Sequence, residues 1–163
     1  LGGEAFGAAL TRLKGSLRYE LRLRAASTGL ELNDLGFVPL VNDIQVRHEF
    51  DLFQLVPSRF FRQAFSLIAV EQHWTTGGLP AAQLVQLHTS ASFDNNWGGA
   101  ITGFLSDFGG ANCVSCARGG PALRQSPKQG IRFDLVGDPR PLVVPSAALR
   151  VGASDEGRSW SRC

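Results

Sequence analysis

Methionine is absent from all 163 residues, including the first position, and only Lys14 and Lys128 are lysines among 16 basic residues. No apolar run reaches eighteen residues, which excludes a membrane-spanning helix. The opening Leu1-Gly2-Gly3-Glu4-Ala5-Phe6 has neither a basic n-region nor a long apolar core, so it does not read as a signal peptide. With no starting Met and a stop just after a polar run, the chain reads as a piece of a longer protein. Charge is sparse too. Charged residues make up 18% and the net charge is +2, against 44% hydrophobic residues. That balance argues against wholesale disorder. Without a Lys/Arg stripe it also argues against nucleic acid as a partner.

Cysteine is nearly absent: Cys113, Cys116 and Cys163 are the three present. A structural zinc site needs four ligands. No second Cys pair exists, and His48, His73 and His88 are scattered along the chain. A redox Cys-x-x-Cys opens a helix in a βαβ setting, whereas this one sits among glycines, Gly109-Gly110 before it and Gly119-Gly120 after. The expectation is loop-closing or incidental cysteines, with no metal or other cofactor.

What is abundant is alternation. In 16–26, Leu17, Tyr19, Leu21, Leu23 and Ala25 interleave with Arg18, Glu20, Arg22 and Arg24. Successive strand side chains point to opposite faces, so the pattern makes one apolar face and one charged face. From Ile44 to Phe53 the same happens: Ile44, Val46, His48, Phe50 and Leu52 oppose Gln45, Arg47, Glu49 and Asp51. Residues 82–93, 97–106 and 131–135 alternate as well, a shorter run covers 30–37, and a weaker one covers 142–151. Between Phe60 and Trp74 the period blurs and leaves a short helix open. The β-branched and aromatic content there favours a strand, with Phe61, Phe65, Leu67 and Ala69 on one face. Turn residues separate these runs, Asn95-Asn96 among them. A long Gly-rich loop is expected over 107–130 and a frayed polar tail over 152–163.

The count is six to eight long strands and no amphipathic helix. This predicts an all-β fold, an antiparallel up-and-down meander forming one domain over 1–163. Without helices between strands, a doubly wound α/β fold is excluded. Alternating strands suit either a membrane barrel or a sandwich. Strand length and aromatics near strand ends (Phe37, Phe53, Phe60, Phe61, Trp74, Phe93, Trp97) favour a partial membrane barrel with the lipid bilayer as partner. The competing reading is a secreted or periplasmic carbohydrate-binding sandwich whose core joins Leu17, Tyr19, Leu21, Phe50, Leu52 and Phe133.

Four segments occur in the order and approximate spacing of one bacterial family: Leu17-Arg18-Tyr19-Glu20, Leu30-Glu31-Leu32-Asn33-Asp34-Leu35-Gly36-Phe37, Asn95-Asn96-Trp97 and Arg118-Gly119-Gly120-Pro121. Over roughly 10–157 the chain resembles the C-terminal barrel region of a group labelled membrane-associated hydrolase. Members of that group carry an N-terminal domain similar to family-nine carbohydrate-binding modules. The resemblance implies an outer-membrane β-barrel that passes or binds a solute, a glycan among the candidates. It also implies an N-terminal domain and flanking strands outside this sequence. Cys113 and Cys116 depart from the family's pattern.

No catalytic motif is present: there is no Gly-x-Ser-x-Gly, no His-Glu-x-x-His and no phosphate-binding Gly-x-x-x-x-Gly-Lys. Glu49 and Asp51 share a strand face about 7 Å apart by the rise per residue, a separation that inverting glycosidases use. A hydrated charge row explains them more simply. The residues singled out for structure or ligand are Asn33, Asp34 and Gly36, then Arg118, Gly119, Gly120 and Pro121. Asn33 and Asp34 read as turn-forming, with calcium as the alternative. Arg118 reads as a pin for an acidic partner, set where glycines permit close approach.

Overall fold

A computed structural model describes residues 3–28, 42–54, 56–108, 110–113, 122–154 and 157–162. The fold is all-β. In chain order the strands are β1 (Ala5–Arg12), β2 (Leu17–Ala26), β3 (Asp43–Phe53), β4 (Phe61–Trp74), β5 (Pro80–Phe93), β6 (Gly98–Ser106), β7 (Asn112–Cys113), β8 (Leu123–Arg124), β9 (Lys128–Val136), β10 (Ser146–Ser154) and β11 (Gly157–Arg162). Nine of them form one sheet in the order β1-β2-β3-β4-β5-β6-β9-β10-β11, and β7 pairs with β8 apart from it. Every ladder is antiparallel, and within the large sheet each strand lies beside the one before it, with β9 following β6 once β7 and β8 have paired apart. Among the described residues no ladder joins β1 to β11, and both remain edge strands.

The alternation in sequence survives as two faces because the registers keep like rows together. Leu17, Leu52 and Ser66 lie side by side, as do Tyr19, Phe50, Ile68 and Leu87. On the opposite face Glu20 lies beside Glu49, and Arg22, Arg47 and Glu71 form a row. A one-residue slip would invert every side chain, and no such slip occurs between β2 and β3. Two irregularities do occur in the β4–β5 register, one between His73 and Trp74 and the other between Phe61 and Gln63. The latter bulge explains the blurred period of 60–74 and places Phe61 against Phe93, on the face opposite Phe65 rather than with it. The whole segment is strand.

No hydrophobic core exists among the described residues. Ala69 and Ala111 are the only buried apolar side chains, and no large side chain is fully buried. The apolar face is open instead: Leu52 is 54% exposed, Phe50 44% and Phe133 40%. These are the residues that a sandwich would cover with a second sheet, and the described residues contain no such layer. The charged face is the better filled of the two. Phe104 there lies across the backbone of Gly130, where an added Cβ would come within 2.6 Å of the ring. An aromatic ring laid over a facing glycine is a device that lets a sheet bend while its ladder stays covered.

Four segments differ from the sequence reading. The first strand, β1, went unseen because Ala5, Gly7 and Ala9 provide no charged face to set against Phe6, Ala8 and Leu10. The 107–130 segment holds β7, β8 and the start of β9. The region expected to be a frayed tail completes β10 and pairs through β11. Where a weak strand was expected from 142, Leu142, Val143 and Val144 are exposed in a turn between Pro141 and Pro145, and β10 begins at Ser146. The 30–37 run lies outside the described residues.

Connections leave from two ends. Those over 13–16, 54–60, 94–97 and 137–145 share one end, called here the turn end. Those over 27–42, 75–79, 107–127 and 155–156 share the other, the loop end. Asn96 in the 94–97 turn takes φ 63°, and the Asn95 side chain accepts from the Trp97 backbone N–H at 3.1 Å, as the Asn-Asn pair suggested.

Candidate functional site

The chemistry of this molecule is concentrated on the charged face of β2, β3 and β4. Arg47 in β3 faces Glu71 in β4 by register and donates to it through Nη1 at 2.7 Å. Its Nε and Nη2 reach along its own strand to Glu49 Oε2 at 3.1 and 2.5 Å. Gln45 adds a further donor, Nε2 to Glu71 Oε1 at 2.8 Å. His73 sits at the top of the same rows with Nε2 2.7 Å from Glu71 Oε1 and Nδ1 2.9 Å from Asp43 Oδ1. Both ring nitrogens therefore meet carboxylates, and His73 is buried. Beside this network Arg22 pairs with Glu20 along β2.

The register makes that arrangement necessary. Arg22 stands directly opposite Arg47, and Glu20 directly opposite Glu49. Like charges opposed across a ladder destabilise it. Each Arg therefore turns to the acid two residues along its own strand, so the like-charged neighbours are each compensated. A checkerboard of charge results, one that presents donors and acceptors together to whatever lies above it.

Towards the turn end the same face changes character. Arg18 lies over the Phe53 ring at 4.2 Å, and Phe53 packs on Phe65 with centroids 4.8 Å apart. His88 follows, hydrogen-bonded through Nδ1 to Thr102 at 2.8 Å. Two polar atoms in this region, Arg18 Nε and Asp51 Oδ1, are buried without a hydrogen-bond partner, and their residues face each other by register. Further across the sheet, Arg132 grips Asp134 through Nε at 2.8 Å and Nη2 at 2.6 Å.

Of the sequence candidates, Glu49 and Asp51 share the face as expected, but Glu49 is held by Arg47 and Asp51 stands opposite Arg18. They do not form a matched acid–base pair. Asn33, Asp34 and Gly36, with Arg118, Gly119, Gly120 and Pro121, lie outside the described residues. The connections that carry these two motifs, 27–42 and 107–127, leave the sheet at the same loop end. Cys113 is disulfide-bonded. Sequence reasoning missed Arg47, Glu71 and His73 as a unit. The signal was present in β4, where Glu71 and His73 continue the row of Phe65, Leu67 and Ala69. Among the described residues no group of His, Cys, Asp and Glu is placed to hold a metal ion.

Comparison of the chain with protein-family models, with curated proteins and with solved structures finds no match.

Proposed function

We propose that this chain is the wall of an outer-membrane-type β-barrel, with its apolar face in lipid and its charged face on a water-filled passage or binding surface for a polar solute. One observation carries the reading: a long-stranded sheet leaves its apolar face uncovered and its opposite face filled with paired charges. In water such a sheet is inverted, and in a bilayer it is correctly oriented. Strand length supports it. β2 and β3 have 10 and 11 residues, close to the roughly 9–11 a tilted spanning strand needs. The placement of the two longest connections supports it too: 27–42 and 107–127 both leave the loop end, and barrels of this class carry their longer loops at one end. The Cys113 disulfide suits an oxidising compartment outside the cytosol. The resemblance drawn from the four sequence segments implies the same location, with a glycan as one candidate solute.

The deciding experiment is fractionation of the chain expressed with a secretion signal in a diderm host. Recovery in the outer-membrane fraction, resistance to alkaline and urea washes and release by detergent are expected. A monomer that stays in buffer without detergent would sink the proposal. For the passage itself, reconstituted vesicles should admit small polar solutes, and the charge checkerboard should govern which ones.

A further inference from the structure

The uncovered face is not uniformly flat. Near the turn end it holds a groove of about 800 Å³ across β4, β5, β6, β9 and β10. Small residues make its floor, with Ala91 opposite Gly99 by register and Ala147 beyond them. Aromatic rings wall it: Phe61 and Phe93, whose centroids are 5.6 Å apart, and Phe133. The lining offers little to a polar ligand. Thr89 already bonds Ser66 at 3.2 Å, and the Asp134 carboxylate is held by Arg132 on the other face. A peptide backbone or a sugar would leave its donors and acceptors unpaired here, at a desolvation cost that an acyl chain does not incur.

Charge lies at the mouth of the groove. Arg62 follows Phe61 at the bulge, and its Nη2 donates to Asp94 O at 3.1 Å and Asn96 Oδ1 at 2.5 Å. Those bonds fix the guanidinium against the 94–97 turn and neutralise none of its charge. Arg59, one turn away, lies over Phe60 at 5.8 Å. Arg12 and Lys14 are also exposed at this end. An apolar trough with arginines at its mouth matches a molecule with hydrocarbon chains and a negative head.

We infer that this groove is a binding site for one anionic phospholipid, with acyl chains over Ala91 and Gly99 and the phosphate against Arg62 and Arg59. The inference rests on the bilayer orientation proposed above and adds a place and a headgroup charge to it. Arg supplies a planar fork of donors that suits a phosphate. A basic side chain near a membrane surface favours an anionic lipid by about fivefold in binding, and two acting together multiply.

The test is native mass spectrometry of the full chain released from vesicles of phosphatidylcholine with a minor share of phosphatidylglycerol. The expected result is retained phosphatidylglycerol, enriched over its share of the vesicle. Replacing both arginines, Arg59→Gln with Arg62→Gln, should lower that enrichment at least fivefold. Filling the floor with Gly99→Leu should lower retention of either lipid; an added Cβ there meets nothing closer than 3.5 Å. Ala147→Leu fills the same groove if the first variant inserts poorly. Equal retention of the two lipids, enrichment unchanged in the double arginine variant, or total lipid retention untouched by both floor-filling variants would overturn the lipid site while leaving the membrane reading standing. A wild-type chain that never enters vesicles would overturn both.

Discussion

Arg47 is the hinge of the charged face, because its guanidinium links Glu49 on its own strand with Glu71 on the next. Replacing it with Met keeps the length of the stem and strands Glu49, while Glu71 retains Gln45 and His73. Hydrogen bonds to charged groups contribute about 1.5–3 kcal/mol each, and partial exposure to water reduces that. Arg47→Met should therefore cost about 1–2 kcal/mol in urea unfolding from detergent micelles. Combining it with Glu71→Gln should recover about 1 kcal/mol of coupling. Additive losses would show that the two side chains do not act as a pair. In the 137–145 turn the Arg140 guanidinium, with help from its own backbone N–H, holds the Asp138 carboxyl down at about 2. A depressed acid contributes its contact above the ordinary carboxylate range and loses it as pH falls through about 2. Arg140→Gln should return Asp138 towards about 3.9, read by carboxyl-carbon NMR. An unmoved titration would assign the effect to the backbone and Asn96 instead. For the cysteines, alkylation of the unreduced, denatured chain should label a single thiol, because Cys113 and its partner are bonded.

In the proposed bilayer orientation a strand of this sheet lives in two environments at once, and substitutions on neighbouring residues test that. Leu87 in the middle of β5 is exposed on the apolar face, and Gln86 beside it faces the charged side. An arginine on the lipid face at mid-depth costs about 2–4 kcal/mol, and on the lumen side far less. Leu87→Arg should accordingly lose the compact, heat-modifiable band on a cold gel at lower urea than wild type. Gln86→Arg should keep it. Equal sensitivity at the two positions would contradict the assignment of faces. How well each strand could be seen in the sequence follows the same logic. β2 and β3 declared themselves because large apolar residues oppose charges at every step. β4 was obscured by a single inserted residue, since the bulge near Arg62 sends Phe61 to the wrong face for a regular period. β1 carries only small residues on its second face, and β11 pairs through a polar stretch, so neither offers the contrast that alternation depends on.

At the scale of the molecule, the network around Glu71 could not be read from composition or local spacing. Arg47 and Glu71 are 24 residues apart, His73 and Asp43 are 30 apart, and only the β3–β4 register brings them together. Periodicity tells which face a residue occupies, but not which row it shares with a neighbour. The two loop motifs illustrate the same limit: nothing in their sequence relates them, and the meander sends the connections that carry them to one end. On the proposed membrane reading, the uncovered apolar face has a further consequence. A chain that folded in water would present Phe6, Leu10, Leu52 and Phe60 to every other copy, with β1 and β11 as free edges for strand addition. On that reading it crosses the aqueous space unfolded, in the custody of a chaperone that binds hydrophobic stretches, and completes its sheet only as it meets lipid.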